Sequence, residues 1–131
     1  MTRHRSGDVL DASALLAFLH REPGHERVRP SIPRGLITAV NWCEVVQKAA
    51  LIGTNPSALR HELARTGLRV VAFDRDLAEA AALLWPLTRG WGLSLADRAC
   101  LALALQCHAP VLTADRRWAE LGIEVEIRLI R

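Results

Sequence analysis

Aromatic residues are scarce in this sequence. Tyrosine is absent, phenylalanine occurs twice, and aromatics make up 5% of the 131 residues although 50% are hydrophobic. The core must be built largely from Ala and Leu, which favour helix, and Ala permits close packing between elements. The cysteines, Cys43, Cys100 and Cys107, are odd in number, lie in apolar stretches and form no Cys-x-x-Cys pair. That pattern argues against a zinc site and predicts buried free thiols in a reducing compartment. No stretch is apolar for the roughly 20 residues of a membrane span; the run Ala99 to Leu105 suits a core helix. The opening MTRHRSGD is basic but lacks the apolar region and cleavage site of a signal peptide, so a cytoplasmic protein is expected. A strong charge of one sign is missing as well. The formal net charge of +3 weakly favours polyanionic partners and does not establish nucleic-acid binding. There is no repeat, low-complexity stretch or interdomain linker. The expected division is a basic tail over residues 1–7 and a single domain over 8–131.

Along that domain, strand and helix signals alternate. Val9-Leu10 reads as a brief strand ending at Asp11, and Ser13 as the cap of a helix from Ala14 to about His20. Glu22-Pro23-Gly24 breaks it, His25 to Arg29 adds a turn, and Pro30 and Pro33 bracket a loop. Leu36 to Thr38 reads as a second strand, followed by a helix from Ala39 to about Ile52 that Gly53 stops. Asn55-Pro56 opens a helix to Ala64. Leu68 to Ala72 is a third strand. Asp74 caps a helix from Arg75 to about Trp85, and Ser94 opens another from Leu95 to Cys107. Pro110 to Thr113 is a short buried strand, and Ile123 to Ile130 an alternating final one. The pattern predicts a parallel sheet with helices on both faces.

The chemistry rests on four carboxylates. Asp11 and Asp115 follow predicted strands, and in open α/β sheets ligands bind outside the carboxyl ends of the strands. Asp97 lies one turn into its helix and Glu44 in the early turns of another, so both can reach that edge. Four carboxylates gathered there would repel one another unless a cation neutralised them. Hard octahedral cations, Mg²⁺ or Mn²⁺, prefer such oxygen-only coordination. One or two ions would fit. Such a site suits phosphodiester cleavage, because a metal lowers the pKa of a water and offsets phosphate charge. Each acid also has a plain local role. Asp11 can make a turn after its strand, and Glu44 can pair with Lys48 four residues on. Asp97 has capping-box spacing from Ser94, and Asp115 can cap the turn containing Trp118. Those roles leave the shared edge as coincidence.

The blocks VLDASALLAFL, AVNWCEVVQK, LSLADRACLALA and VLTADRRW, in this order and spanning nearly the whole chain, resemble those of PIN-domain proteins, specifically the VapC-type toxins. The resemblance implies a three-layer α/β/α sandwich around a mainly parallel, short-stranded sheet. It implies a metal-dependent endoribonuclease, a phosphodiester hydrolase acting on tRNA or ribosomal RNA and so blocking translation. Asp11, Glu44, Asp97 and Asp115 would form the catalytic and Mg²⁺- or Mn²⁺-binding set, with Ser13 and Thr113 as supporting hydroxyls. A cognate antitoxin would block the cleft and carry any DNA binding. A homodimer is implied, assembling with antitoxin into a heterotetramer or larger. The stretch Pro30 to Pro33 departs from the commonest pattern.

Further residues have two readings each. Asn41 can face the cleft or cap its own helix. Arg98 and Arg116 are candidates for holding phosphate oxygens, whereas Arg117 reads as surface charge. Arg3, His4 and Arg5 can graze RNA or simply be a soluble tail. Trp91, in a Gly-bracketed loop near Asp97, is the base-stacking candidate; Trp42 and Trp118 read as packing residues. The helix ALLAFLH and the stretch Pro56 to Arg65 offer an antitoxin groove or dimer surface. Alternative functions are a PIN-fold RNA-processing nuclease without an antitoxin and a non-catalytic module binding RNA or protein. A response-regulator-like or hydrolase α/β domain fits less well, lacking the expected lysine element and nucleophile elbow.

Overall fold

A computed structural model describes residues 7–131. The expected tail, with Arg3, His4 and Arg5, falls almost wholly outside the described residues. Five strands form one sheet: β1 (Val9–Leu10), β2 (Leu36–Thr38), β3 (Arg69–Val71), β4 (Val111–Thr113) and β5 (Ile127–Leu129). Their order is β3-β2-β1-β4-β5, and every pair is parallel. The sheet is thus wholly parallel among the described strands. The helices are α1 (Ala12–His20), α2 (His25–Val28), α3 (Ala39–Leu51), α4 (Pro56–Ala64), α5 (Arg75–Leu83), α6 (Trp85–Thr88) and α7 (Leu95–Cys107).

Alternation along the strands divides the core in two, because successive side chains point to opposite faces. Leu10, Ile37 and Leu112 join a cluster with Leu15 of α1, Val28 of α2, Val45 of α3 and Leu63 of α4. Their neighbours Val9, Leu36 and Val111 join the other cluster, with Leu77 and Ala81 of α5, Leu101 and Leu103 of α7, and Trp118. Helices α1 to α4 therefore cover one face and α5 and α7 the other, which is the expected three-layer sandwich. Gly24 closes one corner. Its φ of +95° is left-handed, and a Cβ there would lie 2.2 Å from the carbonyl oxygen of Ile130, so only glycine fits this approach.

Several expected boundaries move. Helix α1 begins at Ala12 because Asp11, rather than Ser13, is its N-cap, its side chain accepting from the Ala14 backbone N–H. A carboxylate serves well there, since it also complements the helix dipole. The helix expected to run to Trp85 ends at Leu83, and α6 restarts with Pro86 in its first turn. Of the stretch Ile123 to Ile130, only Ile127–Leu129 pairs with β4. The residues before it fold on themselves, with Val125 N–H donating to the Ile123 carbonyl at 2.8 Å. Pro30 sits in a 3-10 turn, Arg29–Ser31. The cysteines are free, but Cys43 is exposed and only Cys100 is fully buried. Cys43 lies on the outer face of α3, so the apolar stretch around it was a misleading signal of burial. No helix among the described residues is long and apolar enough to cross a membrane.

Candidate active site

The strand order places a switch point between β1 and β4. The chain builds outward from β1 to β2 and β3, then returns to lay β4 on the other side of β1. A crevice opens at the carboxyl ends of such a pair. Here it is a cleft of about 330 Å³ lined by Asp11, Ser13, Asn41, Glu44, Lys48, Asp97 and Asp115, among others. The four predicted carboxylates, delivered by four separate elements, share this one cleft.

Asp11 sits at its floor, 6% exposed. Its Oδ1 accepts from the Ser13 hydroxyl at 2.7 Å and the Ala14 N–H at 2.8 Å, and its Oδ2 accepts from the Thr113 hydroxyl. Burial pushes its carboxyl up to about 6; the bonds from Thr113, Ser13 and Ala14 oppose that rise and Asp97 adds to it. Both hydroxyls do double duty. The Ser13 oxygen accepts from the Ala114 N–H at 2.9 Å and the Thr113 oxygen from the Asp115 N–H at 3.0 Å. The loops after β1 and β4 are thereby stitched together through side chains. A Thr113→Val protein is expected to lose about 1–3 kcal/mol, since a buried carboxylate and a backbone N–H each lose a partner. Asp11 would titrate higher still, because a bond that lowers its pKa is gone. Thermal denaturation and a pH titration of Asp11 followed by NMR check the two effects.

Asp97 and Ser94 form a full capping box: the Asp97 N–H donates to the Ser94 hydroxyl at 3.1 Å, and the Ser94 N–H to Asp97 Oδ2 at 3.0 Å. Asn41 is buried. Its amide donates to the Ala96 carbonyl at 3.1 Å, its oxygen accepts from the Thr38 hydroxyl, and it thus ties the start of α3 to the start of α7. Thr38, rather than Asn41, caps α3. Glu44, one turn further, titrates high because of partial burial and then the negative charge of Asp97, with Lys48 and Asn41 acting against the rise. Asp115 behaves oppositely. Arg117 holds its carboxyl below the usual range, through Nη2–Oδ2 at 2.6 Å and Nε–Oδ1 at 3.0 Å. Asp115 also accepts from the Arg117 backbone N–H at 3.0 Å, capping the 3-10 turn Arg116–Glu120.

Asp11, Asp97 and Asp115 therefore play the local capping roles and line the same cleft as Glu44. The two follow from one cause: three helical N-termini converge at this edge, two of them capped by the acids Asp11 and Asp115 and the third, capped by Ser94, carrying Asp97 in its first turn. Their partial positive charge favours carboxylates there. Among the described residues no three His, Cys, Asp or Glu side chains are gathered tightly enough to hold an ion as they stand. Asp97 is bent back to its own cap and Asp115 is drawn towards Arg117. The donor set nevertheless fits a hard divalent cation. It is oxygen-only, and burial, reinforced by the charge of Asp97, pushes Asp11 and Glu44 towards protonation, a strain that a divalent cation would relieve.

Other predicted residues fall elsewhere. Arg98 does not reach the cleft; its Nη1 donates to the Ala81 carbonyl at 3.1 Å, and its Nε is buried without a hydrogen-bond partner. One position after Asp97 is about 100° round the helix, which turns Arg98 towards α5. Arg116 is exposed and does not line the cleft. Trp91 is half-buried and packs against the second core cluster, and its carbonyl accepts from Arg117 Nη1 at 2.8 Å. Trp42 and Trp118 do pack, Trp118 at 1% exposure. The cations that do belong to the site are Lys48 and Arg117. The signals were their spacings, four residues after Glu44 and two after Asp115.

Fold and site define an α/β domain with an acidic cleft at the carboxyl edge of a parallel sheet. Residues 9–124 match the family model of the PIN domain, and the chain belongs to that family. Among solved structures it is similar to a toxin–antitoxin complex from Klebsiella pneumoniae, with TM-score 0.75 and 19% identity over 95% of this chain and 98% of that one. It is similar to DNA-bound VapBC from Salmonella typhimurium, with TM-score 0.73 and 16% identity over 96% and 99%. FitAcB from Neisseria gonorrhoeae gives TM-score 0.67 and 21% identity over 91% and 94%. At these identities the likeness is one of fold. No curated protein matches the sequence.

Proposed function

We propose that this chain is a Mg²⁺- or Mn²⁺-dependent endoribonuclease, the toxin of a VapC-type toxin–antitoxin pair, cutting tRNA or ribosomal RNA. The observation that carries the reading is the single cleft shared by Asp11, Glu44, Asp97 and Asp115. Asp11, Asp97 and Asp115 would hold the cation, and Glu44 would complete the set or orient a water. A bound cation supplies charge neutralisation at the phosphate and a more acidic water. Ser13 and Thr113 hold Asp11 in place, Asn41 fixes the distance between Glu44 and Asp97, and Lys48 at the rim is placed to meet a phosphate oxygen.

The family, and the likeness to complexes described as toxin–antitoxin assemblies, support an antitoxin partner, with DNA bound through that partner. Leu83, Leu87 and Leu95 are large apolar side chains at least half exposed, surface that a homodimer or a heteromeric assembly would cover. A second hollow of about 280 Å³, lined by Trp42, Arg60, Leu63, Ala64, Leu68 and Val70, includes residues of the Pro56–Arg65 stretch and suits an antitoxin segment.

The test is cleavage of total cellular RNA by purified, antitoxin-free protein. Discrete fragments are expected with Mg²⁺ or Mn²⁺, and none with EDTA or with Asp97→Asn, which keeps a capping side chain. A folded protein that cuts nothing with either metal would refute the nuclease reading, and cleavage unaffected by EDTA would refute metal dependence.

A further inference from the structure

Among the described residues Asp115 is the one cleft carboxylate bound by a guanidinium, and the fork engages both of its oxygens. Nε and Nη2 of Arg117 engage the two carboxylate oxygens separately, at 3.0 and 2.6 Å. The backbone N–H of the same residue takes Oδ1 as well, at 3.0 Å. The remaining arm, Nη1, is anchored 2.8 Å from the carbonyl of Trp91, in the turn that leads to Ser94 and Asp97. The guanidinium thus spans the two segments that deliver the late aspartates. An exposed ion pair is ordinarily worth little. A fork held at both carboxylate oxygens and pinned from behind keeps one geometry, and such pairing is stronger. A second cation seeking Asp115 must displace it.

We propose that Arg117 is a built-in counter-cation, occupying Asp115 in the metal-free protein and yielding it to an incoming divalent cation. Arg117 is then a positioning residue that weakens metal binding to the free protein and keeps Asp115 paired when no metal is present. The inference rests on the metal reading above. Because it concerns the exchange of one cation for another at Asp115, its readout is metal affinity, independent of RNA cleavage.

The experiment is calorimetric titration of the full-length chain with Mn²⁺. Compared with the parent, Arg117→Gln is expected to bind Mn²⁺ about tenfold more tightly, the order of effect seen when a competing charge contact is removed. Arg117→Lys keeps the charge but loses the fork and should fall between. Arg116→Gln removes a neighbouring charge that does not touch Asp115 and should stay within about twofold of the parent. In an Asp115→Asn background, adding Arg117→Gln should change nothing further, closing a double-mutant cycle. Equal or weaker Mn²⁺ binding by both folded Arg117 variants would overturn the proposal and leave the metal reading intact. Equal tightening by Arg116→Gln would overturn it too, by reducing the effect to net charge. Absence of Mn²⁺ binding by the parent and every variant would overturn the metal reading itself.

Discussion

An Asp11→Asn protein is expected to lose RNA cleavage on the order of a thousandfold or more, while its metal-free form becomes more stable than the parent at neutral pH. The two effects have one origin. Asp11 is buried at the cleft floor with a carboxyl pushed up to about 6 from an ordinary 3.8. Where the folded pKa is the higher, the native state binds the proton more tightly than the unfolded chain. The stability linked to that proton is fully present below about pH 4 and is lost as pH rises through about 6. The loss is of order 3 kcal/mol for a shift of this size, and the rise at Glu44 acts in the same direction. Asparagine removes the ionisation, keeps an oxygen for the Ala14 N–H and the cap of α1, and turns its NH2 to the Thr113 oxygen as a donor where the carboxylate accepted. It also removes a charged ligand from the proposed cation site, and loss of a group that stabilises the transition state costs factors of this order. Thermal melts from pH 4 to 8, with and without Mg²⁺, provide the check. The parent should weaken across that window without metal and recover with it above pH 6. The variant should respond less to either. A metal-free parent whose melting point rises from pH 4 to 7 would show that Asp11 ionises freely.

The second large effect is expected at Trp118. Its ring is 1% exposed within the cluster of α5, α7 and the strand residues Val9, Leu36 and Val111. Trp118→Ala should cost about 3–5 kcal/mol through lost burial and the cavity left behind. For a chain of this size that is roughly 10–20 °C in melting temperature. The ring also anchors the 3-10 turn that Asp115 caps and from which Arg117 reaches back. Cleavage should therefore fall even well below the melting point, as the turn loosens. Trp118→Phe retains much of the ring volume and leaves a smaller cavity, so its cost should be far smaller. Denaturation curves for both variants check this. An alanine variant melting within two or three degrees of the parent would show that the ring does not hold the turn.

Much of the layout was legible because its signals are local. Asn55-Pro56, Asp74 and Ser94 mark helix starts through bonds reaching two or three residues ahead. The gathering of the acids was legible for a different reason: residues at the carboxyl ends of parallel strands must share an edge, whatever the helices do in detail. What sequence could not supply were choices made by distant partners. Asp11 and Ser13 both suit an N-cap, and Asp11 wins while Thr113, 102 residues away, holds its other oxygen. Alternation in Ile123 to Ile130 reports which side chains are buried, and Ile123 and Val125 do pack on the core. It does not report backbone pairing, so the strand came out too long. Arg98 and Arg117 each neighbour a cleft aspartate, yet helix rotation turns one towards α5 and a 3-10 turn folds the other onto its acid.

The bond between Thr113 and Asp11 also has a consequence for synthesis. A ribosome adding about 5–20 residues per second takes roughly 5–20 s to travel the 102 residues between them. Throughout that interval the first strand has no β4 beside it, and the cleft lacks Ala114 and Asp115. Products terminated before Pro110 lack both β4 and Asp115 and so have no complete acidic cleft.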